Sequence, residues 1–141
     1  MYLRDSVPAD LSGVSRALTA ARDFAEKAVP RRVDRVRLAM IIEEVLLNVL
    51  IHGSPSARSR IELECGSRDG RIEIHIADAG IPFDPRYDVP VSSREDAVAD
   101  EIEGGAGWPM ILEWCDIEGY ERADDQNRLW LSLSLSGSAG E

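Results

Sequence analysis

From Val33 to His52 the chain is apolar around almost the full circumference of a helix, through Val36, Leu38, Ala39, Met40, Ile41, Ile42, Val45, Leu46, Leu47, Val49, Leu50 and Ile51. A helix so apolar is buried on several sides. This segment, stopped by Gly53 and Pro55, is therefore expected to be the central element of the fold. Ahead of it, Leu11, Val14, Leu18, Ala21, Ala25 and Ala28 recur at three- and four-residue steps behind the candidate caps Asp10 and Ser12. Pro30 closes that first helix.

Strands follow the central helix. Ile61, Leu63 and Cys65 alternate with Glu62 and Glu64, then Ile72, Ile74 and Ile76 alternate with Glu73 and His75, and Asp69-Gly70 sits between the two runs. That is a hairpin with one buried and one wet face. A long loop rich in Pro, Gly, Ser and acid runs from Pro82 to Gly107, and a short helix is expected near Trp108. Two last strands are expected over 116–121 and 127–136, the second alternating Leu129, Leu131, Leu133 and Leu135. The order predicts a two-layer α/β sandwich: a mixed, mostly antiparallel sheet with three main helices on one face and solvent on the other.

The length of 141 residues fits one domain, with a core over about 8–135 and a frayed tail over 137–141. Acidic residues number 26 against 16 basic, a net charge of −10, which excludes a domain held on nucleic acid through its phosphates. No run reaches membrane-spanning length and the N-terminus lacks a basic-then-apolar leader, so a cytoplasmic protein is expected. Cys65 and Cys115 stand far apart, outside any metal or redox spacing, and read as buried structural thiols.

Three features carry chemistry. Glu44, Asn48 and His52 lie four residues apart, along one face of the apolar helix. Burying an unpartnered amide costs roughly 2–7 kcal/mol, so the stripe is either a solvent-facing edge, internally paired, or used. Used, the Asn48 side-chain oxygen is a hard neutral ligand for Mg²⁺, and Glu44 one turn earlier can accept a proton from an attacking hydroxyl or water. Glu43 falls off the stripe and reads as a surface acid, and His52 as a residue that packs or bonds locally at the helix end.

The second feature is Asp78-Ala79-Gly80, continued by Ile81-Pro82-Phe83-Asp84-Pro85. Gly80 allows close approach of a flat ligand, and Asp78 can accept a hydrogen bond from an exocyclic amine such as that of adenine. The same residues also make good turn chemistry with no ligand. The third is Gly104-Gly105-Ala106-Gly107 running into Trp108-Pro109, where glycines before a helix leave amides for phosphate, or simply form a hinge. No Lys-Ser/Thr pair follows, so it is not a Walker loop.

In that order, Glu44-x-x-x-Asn48, Asp78-x-Gly80 and Gly105-x-Gly107 resemble the ATP site of the GHKL ATPase superfamily (the Bergerat fold). Pro82-Phe83-Asp84-Pro85, the helix end Ile51-His52-Gly53 and the small size are similar to its anti-sigma factor serine-kinase branch. The resemblance covers roughly Pro8 to Leu135. It implies Glu44 as general base and Asn48 as the Mg²⁺ ligand of bound ATP. Asp78 would read the adenine amine with Gly80 beneath the base, and Phe83, Gly104 and Trp108 would join the nucleotide-binding set. Gly105 and Gly107 would close on the phosphates, under a lid over 87–104. Such kinases phosphorylate a STAS-type anti-anti-sigma partner, hold a sigma factor, and commonly dimerise through a face of the sheet. Two alternatives share these motifs: a nucleotide-binding interaction module of the same pathways without efficient kinase activity, and a detached histidine-kinase catalytic domain. The chain departs from the family pattern at Glu103, where a basic residue often precedes the glycines, and at Trp108-Pro109.

Overall fold

A computed structural model describes residues 1–52, 59–87 and 108–136. Their elements in chain order are β1 (Tyr2–Pro8), α1 (Leu11–Ala28), α2 (Arg32–His52), β2 (Arg60–Arg68), β3 (Arg71–Asp78), α3 (Trp108–Trp114), β4 (Cys115–Ala123) and β5 (Gln126–Ser134). The strands form one sheet in the order β1-β2-β3-β5-β4, with all four pairings antiparallel among the described residues.

The alternation along each strand decides which face the helices cover. Ile61 and Leu63 of β2, Ile72 and Ile76 of β3, and Leu131 and Leu133 of β5 are buried, while Glu62, Glu73 and Trp130 between them are more exposed. The helices close the apolar face with Ala17, Leu18, Ala21 and Phe24 from α1, and Leu38, Ile41, Ile42 and Leu46 from α2. Asp10 caps α1 by accepting from the Gly13 amide at 2.7 Å, so of the two candidate caps it is Asp10 that serves. The helix crosses β1 so tightly there that a Cβ on Gly13 would lie 1.8 Å from the Pro8 carbonyl oxygen.

Three features differ from expectation or extend it. β1 emerges from what the sequence marks only as an opening run; its inner face carries just Leu3 and Val7 around Asp5, too weak an alternation to declare a strand. The central helix is covered on fewer sides than its composition implies, with Val33, Val36, Met40 and Ile51 exposed. In a two-layer fold the outer side of a helix meets water, and single exposed apolar residues cost little. The third is Asp34, 1% exposed, whose carboxylate accepts from the Ser136 amide and hydroxyl at 2.8 Å each and ties the start of α2 to the end of β5.

Both β-hairpins turn on residues with positive φ. Asp69 (50°) and Gly70 (77°) join β2 to β3, and Asp124 (54°) and Asp125 (61°) join β4 to β5. Two-residue turns of this hand favour glycine at the second position. Asp125→Gly is therefore expected to stabilise the fold by roughly 0.5–1 kcal/mol, read as a higher urea midpoint with an unchanged slope. Asp124 is the poorer choice, because it pairs with Arg128 at 3.5 Å.

Both thiols are buried, free, and pushed up to about 12 by burial, which leaves them as inert packing groups. Among the described residues no helix is long and apolar enough to cross a membrane.

Candidate functional site

The stripe on α2 resolves into a bonded pair. Asn48 is 5% exposed, Glu44 half-buried and Glu43 exposed. The Asn48 amide nitrogen donates to the Glu44 backbone carbonyl at 2.9 Å and to Glu44 Oε2 at 3.2 Å. Asn48 is thus no solvent-facing edge. Its Nδ2 is committed to Glu44, which turns the amide so that oxygen, the atom a hard cation takes, is its other end. The His52 side chain lies outside the described residues.

The second cluster closes around the last residue of β3. Asp78 is 7% exposed, and its Oδ1 accepts from the Gly80 amide at 2.8 Å and from Asn127 Nδ2 at 3.2 Å. Its Oδ2 accepts from no described residue. Burial raises the Asp78 carboxyl above the ordinary carboxylate range, opposed by those two hydrogen bonds and by Arg122. Gly80 does not owe its place to left-handed backbone, since Gly70 is the one described glycine with positive φ. Its carbonyl accepts from Arg122 Nη1 at 2.6 Å.

Asn127, at the start of β5, is the residue that sequence reasoning missed. It is 6% exposed, and besides Asp78 it donates to the Ile81 carbonyl at 2.8 Å. Its Oδ1 accepts from the Phe83 amide at 3.1 Å and from the Tyr120 hydroxyl. One side chain therefore fixes both the carboxylate and the chain leaving it. A signal existed: Asn127 has the same parity as Leu129, Leu131 and Leu133, so it is a polar group on a buried face.

Asn48, Asp78 and Asn127 line one cleft between α2 and the β3–β5 pair, whereas Glu44 and Gly80 adjoin them without lining it. Val45, Ile76 and Leu129 make apolar walls, and Asn48, Asp78 and Asn127 supply polar groups. Phe83 and Trp108 also line it, their rings 6.5 Å apart between centroids. Trp108 is 1% exposed, and its indole nitrogen has no hydrogen-bond partner among the described residues. Among the described residues no Lys or Arg lines the cleft. An apolar slot with a carboxylate oxygen at one end suits a flat, uncharged heterocycle bearing an amine. The expected phosphate residues Gly104, Gly105 and Gly107, and all of the lid expected over 87–104 except Tyr87, lie outside the described residues.

A family model described as the histidine kinase-like ATPase domain matches residues 7–133. The chain belongs to that family. As a histidine kinase-like ATPase domain it is an ATP-binding domain of the GHKL superfamily, and its five-stranded sheet with helices on one face fits that fold. The chain finds no match among curated proteins. Every candidate site residue, from Glu44 to Trp108, lies inside the matched span. The described part of the cleft offers groups of the kind a nucleotide's base takes: the acceptor at Asp78 Oδ2, the apolar walls and the unpartnered Trp108 donor.

Proposed function

We propose that this ATPase domain is a serine/threonine protein kinase of the anti-sigma factor type. Its substrate is a STAS-type anti-anti-sigma protein, and its binding target is a sigma factor. The observation that supports this reading best is the Glu44–Asn48 pair, a carboxylate held by a 3.2 Å hydrogen bond to the amide expected to meet the metal. A domain that only bound ATP would need Asn48 but not a carboxylate positioned beside it.

In this reading Mg²⁺-ATP is the phosphoryl-donating substrate. Asp78 and the apolar walls orient its base, and Asn48 holds the metal through its side-chain oxygen. The Glu44 carboxylate takes the proton of the partner's serine or threonine hydroxyl as the hydroxyl oxygen bonds to the γ-phosphorus and ADP leaves. The Asn48 bond to Oε2 fixes the rotamer of Glu44, so the base needs little reorganisation at the moment of transfer.

Glu44→Gln keeps size and the hydrogen bond to Asn48 but removes the base. Transfer of labelled γ-phosphate to a STAS-domain protein from the same genome is expected to fall about 100-fold or more, with ATP affinity nearly unchanged. Transfer at the wild-type rate would exclude Glu44 as the base. Failure of the wild type to modify any STAS-domain protein would favour a second reading, a nucleotide-binding interaction module without useful transfer. That reading draws on the sequence ahead of the glycines, where Glu95, Asp96, Asp100, Glu101 and Glu103 face only Arg94. So many acids give the phosphates little compensating charge.

A further inference from the structure

The least satisfied group among the described residues is the Trp108 indole N–H. The side chain is 1% exposed, its Nε1 is the one buried side-chain polar atom without a partner there, and it lines the cleft that contains Asp78. A buried donor without an acceptor carries an unrecovered desolvation cost. Natural proteins keep such groups where a ligand or a water completes them. The cleft's walls are Val45, Ile76 and Leu129, and none of the described residues that line it is cationic. The Asp78 carboxylate repels anions from the same space. Against these described walls an uncharged planar ring suits the Trp108 donor better than a phosphate does.

We propose that the Trp108 N–H donates to a ring nitrogen of adenine, so that the base is read by a donor–acceptor pair, with Asp78 Oδ2 taking the exocyclic amine. The inference rests on the ATP-site reading above and adds to it a second specificity-determining contact. Asp78 alone selects any heterocycle with an amine in reach, cytosine included. A donor at a second point of the ring distinguishes adenine from bases that present an N–H or a carbonyl in other positions. The contact involves a side chain of the first residue of α3, so it does not depend on that short helix as an anion site.

The test replaces the N–H and then the acceptor. Trp108→Phe, and a variant carrying benzothienylalanine at position 108 (sulfur in place of N–H, same ring size), are titrated with ATP and with its 1-deaza, 3-deaza and 7-deaza analogues. Both variants are expected to bind ATP roughly fivefold to tenfold more weakly than wild type. One deaza analogue is expected to lose the same factor on the wild type and nothing further on the variants. Benzothienylalanine keeps the packing, so it reads the N–H even if the phenylalanine variant folds poorly. Equal ATP affinity of wild type and the benzothienyl variant would overturn the proposal, as would a loss shared equally by ATP and all three analogues. Wild-type protein that binds no ATP would instead bring down the site reading, and this proposal with it.

Discussion

Asn48→Ala is expected to weaken Mg²⁺-ATP binding at least about 100-fold, about 2.7 kcal/mol, and to erase the difference between titrations with and without Mg²⁺. The side chain is 5% exposed and both of its donated bonds stay within α2, to the Glu44 carbonyl and carboxylate. Alanine is the best helix former, so the helix should tolerate the change. The fold loses the two bonds that the Asn48 amide donates within α2, each worth about 1 kcal/mol, and thermal unfolding of the ligand-free protein should move by several degrees. Asn48→Asp separates charge from geometry. It offers the metal a carboxylate but turns the donor to Glu44 into a repelling oxygen 3.2 Å away. That variant should retain some Mg²⁺ dependence and lose stability. If Asn48→Ala bound ATP with its Mg²⁺ dependence intact, the metal would be held elsewhere.

Asp78→Asn is the second large effect. Oδ1 accepts from the Gly80 amide and Asn127, and an asparagine oxygen can accept both bonds unchanged. What changes is the other atom, where an acceptor becomes an NH₂ donor facing the adenine amine. A lost charge-assisted bond plus two opposed donors should lower ATP affinity by roughly 100-fold and shrink or reverse the preference over GTP.

Stability should move the other way. Burial raises the folded-state pKa of Asp78, so the native protein holds that proton more tightly than the unfolded chain does. Its contribution is fully present below the unfolded value of about 3.9 and is lost as pH rises through the raised native value. At neutral pH the buried carboxylate is thus a cost. Ligand-free Asp78→Asn is expected to be at least as stable as wild type at pH 7, and to lose the extra stability wild type gains on acidification. Urea titrations at pH 7 and near pH 4 read this directly. A variant less stable than wild type at pH 7 would contradict it.

Part of the candidate cleft was legible before the fold was known. Asn48 stands out as a polar residue inside an otherwise apolar helix, and Asp78 ends the alternation of β3. Asp69-Gly70 marks its hairpin by turn chemistry alone. What escaped is tertiary. Asn127 looks like the end of an Asp-Asp-Gln-Asn turn, and only the β3–β5 register, which sets it opposite Asp78, reveals what it holds. Asp34 is similar, since its buried role depends on Ser136, a residue 102 positions away. The edge strand β1 has two apolar inner residues and owes its place to pairing with β2. The exposure of Val36 and Met40 also needed the fold, because composition does not say which side of an apolar helix meets the sheet.

The central claim is an adenine-selective, Mg²⁺-dependent nucleotide site in the cleft between α2 and β3. Calorimetric titration of the purified protein with ATP and with GTP, each with and without Mg²⁺, tests it most directly. Saturable binding of ATP that strengthens with Mg²⁺, with GTP at least tenfold weaker, about 1.4 kcal/mol, is the predicted result. No heat at millimolar ATP, or equal affinity for the two nucleotides, would contradict the account.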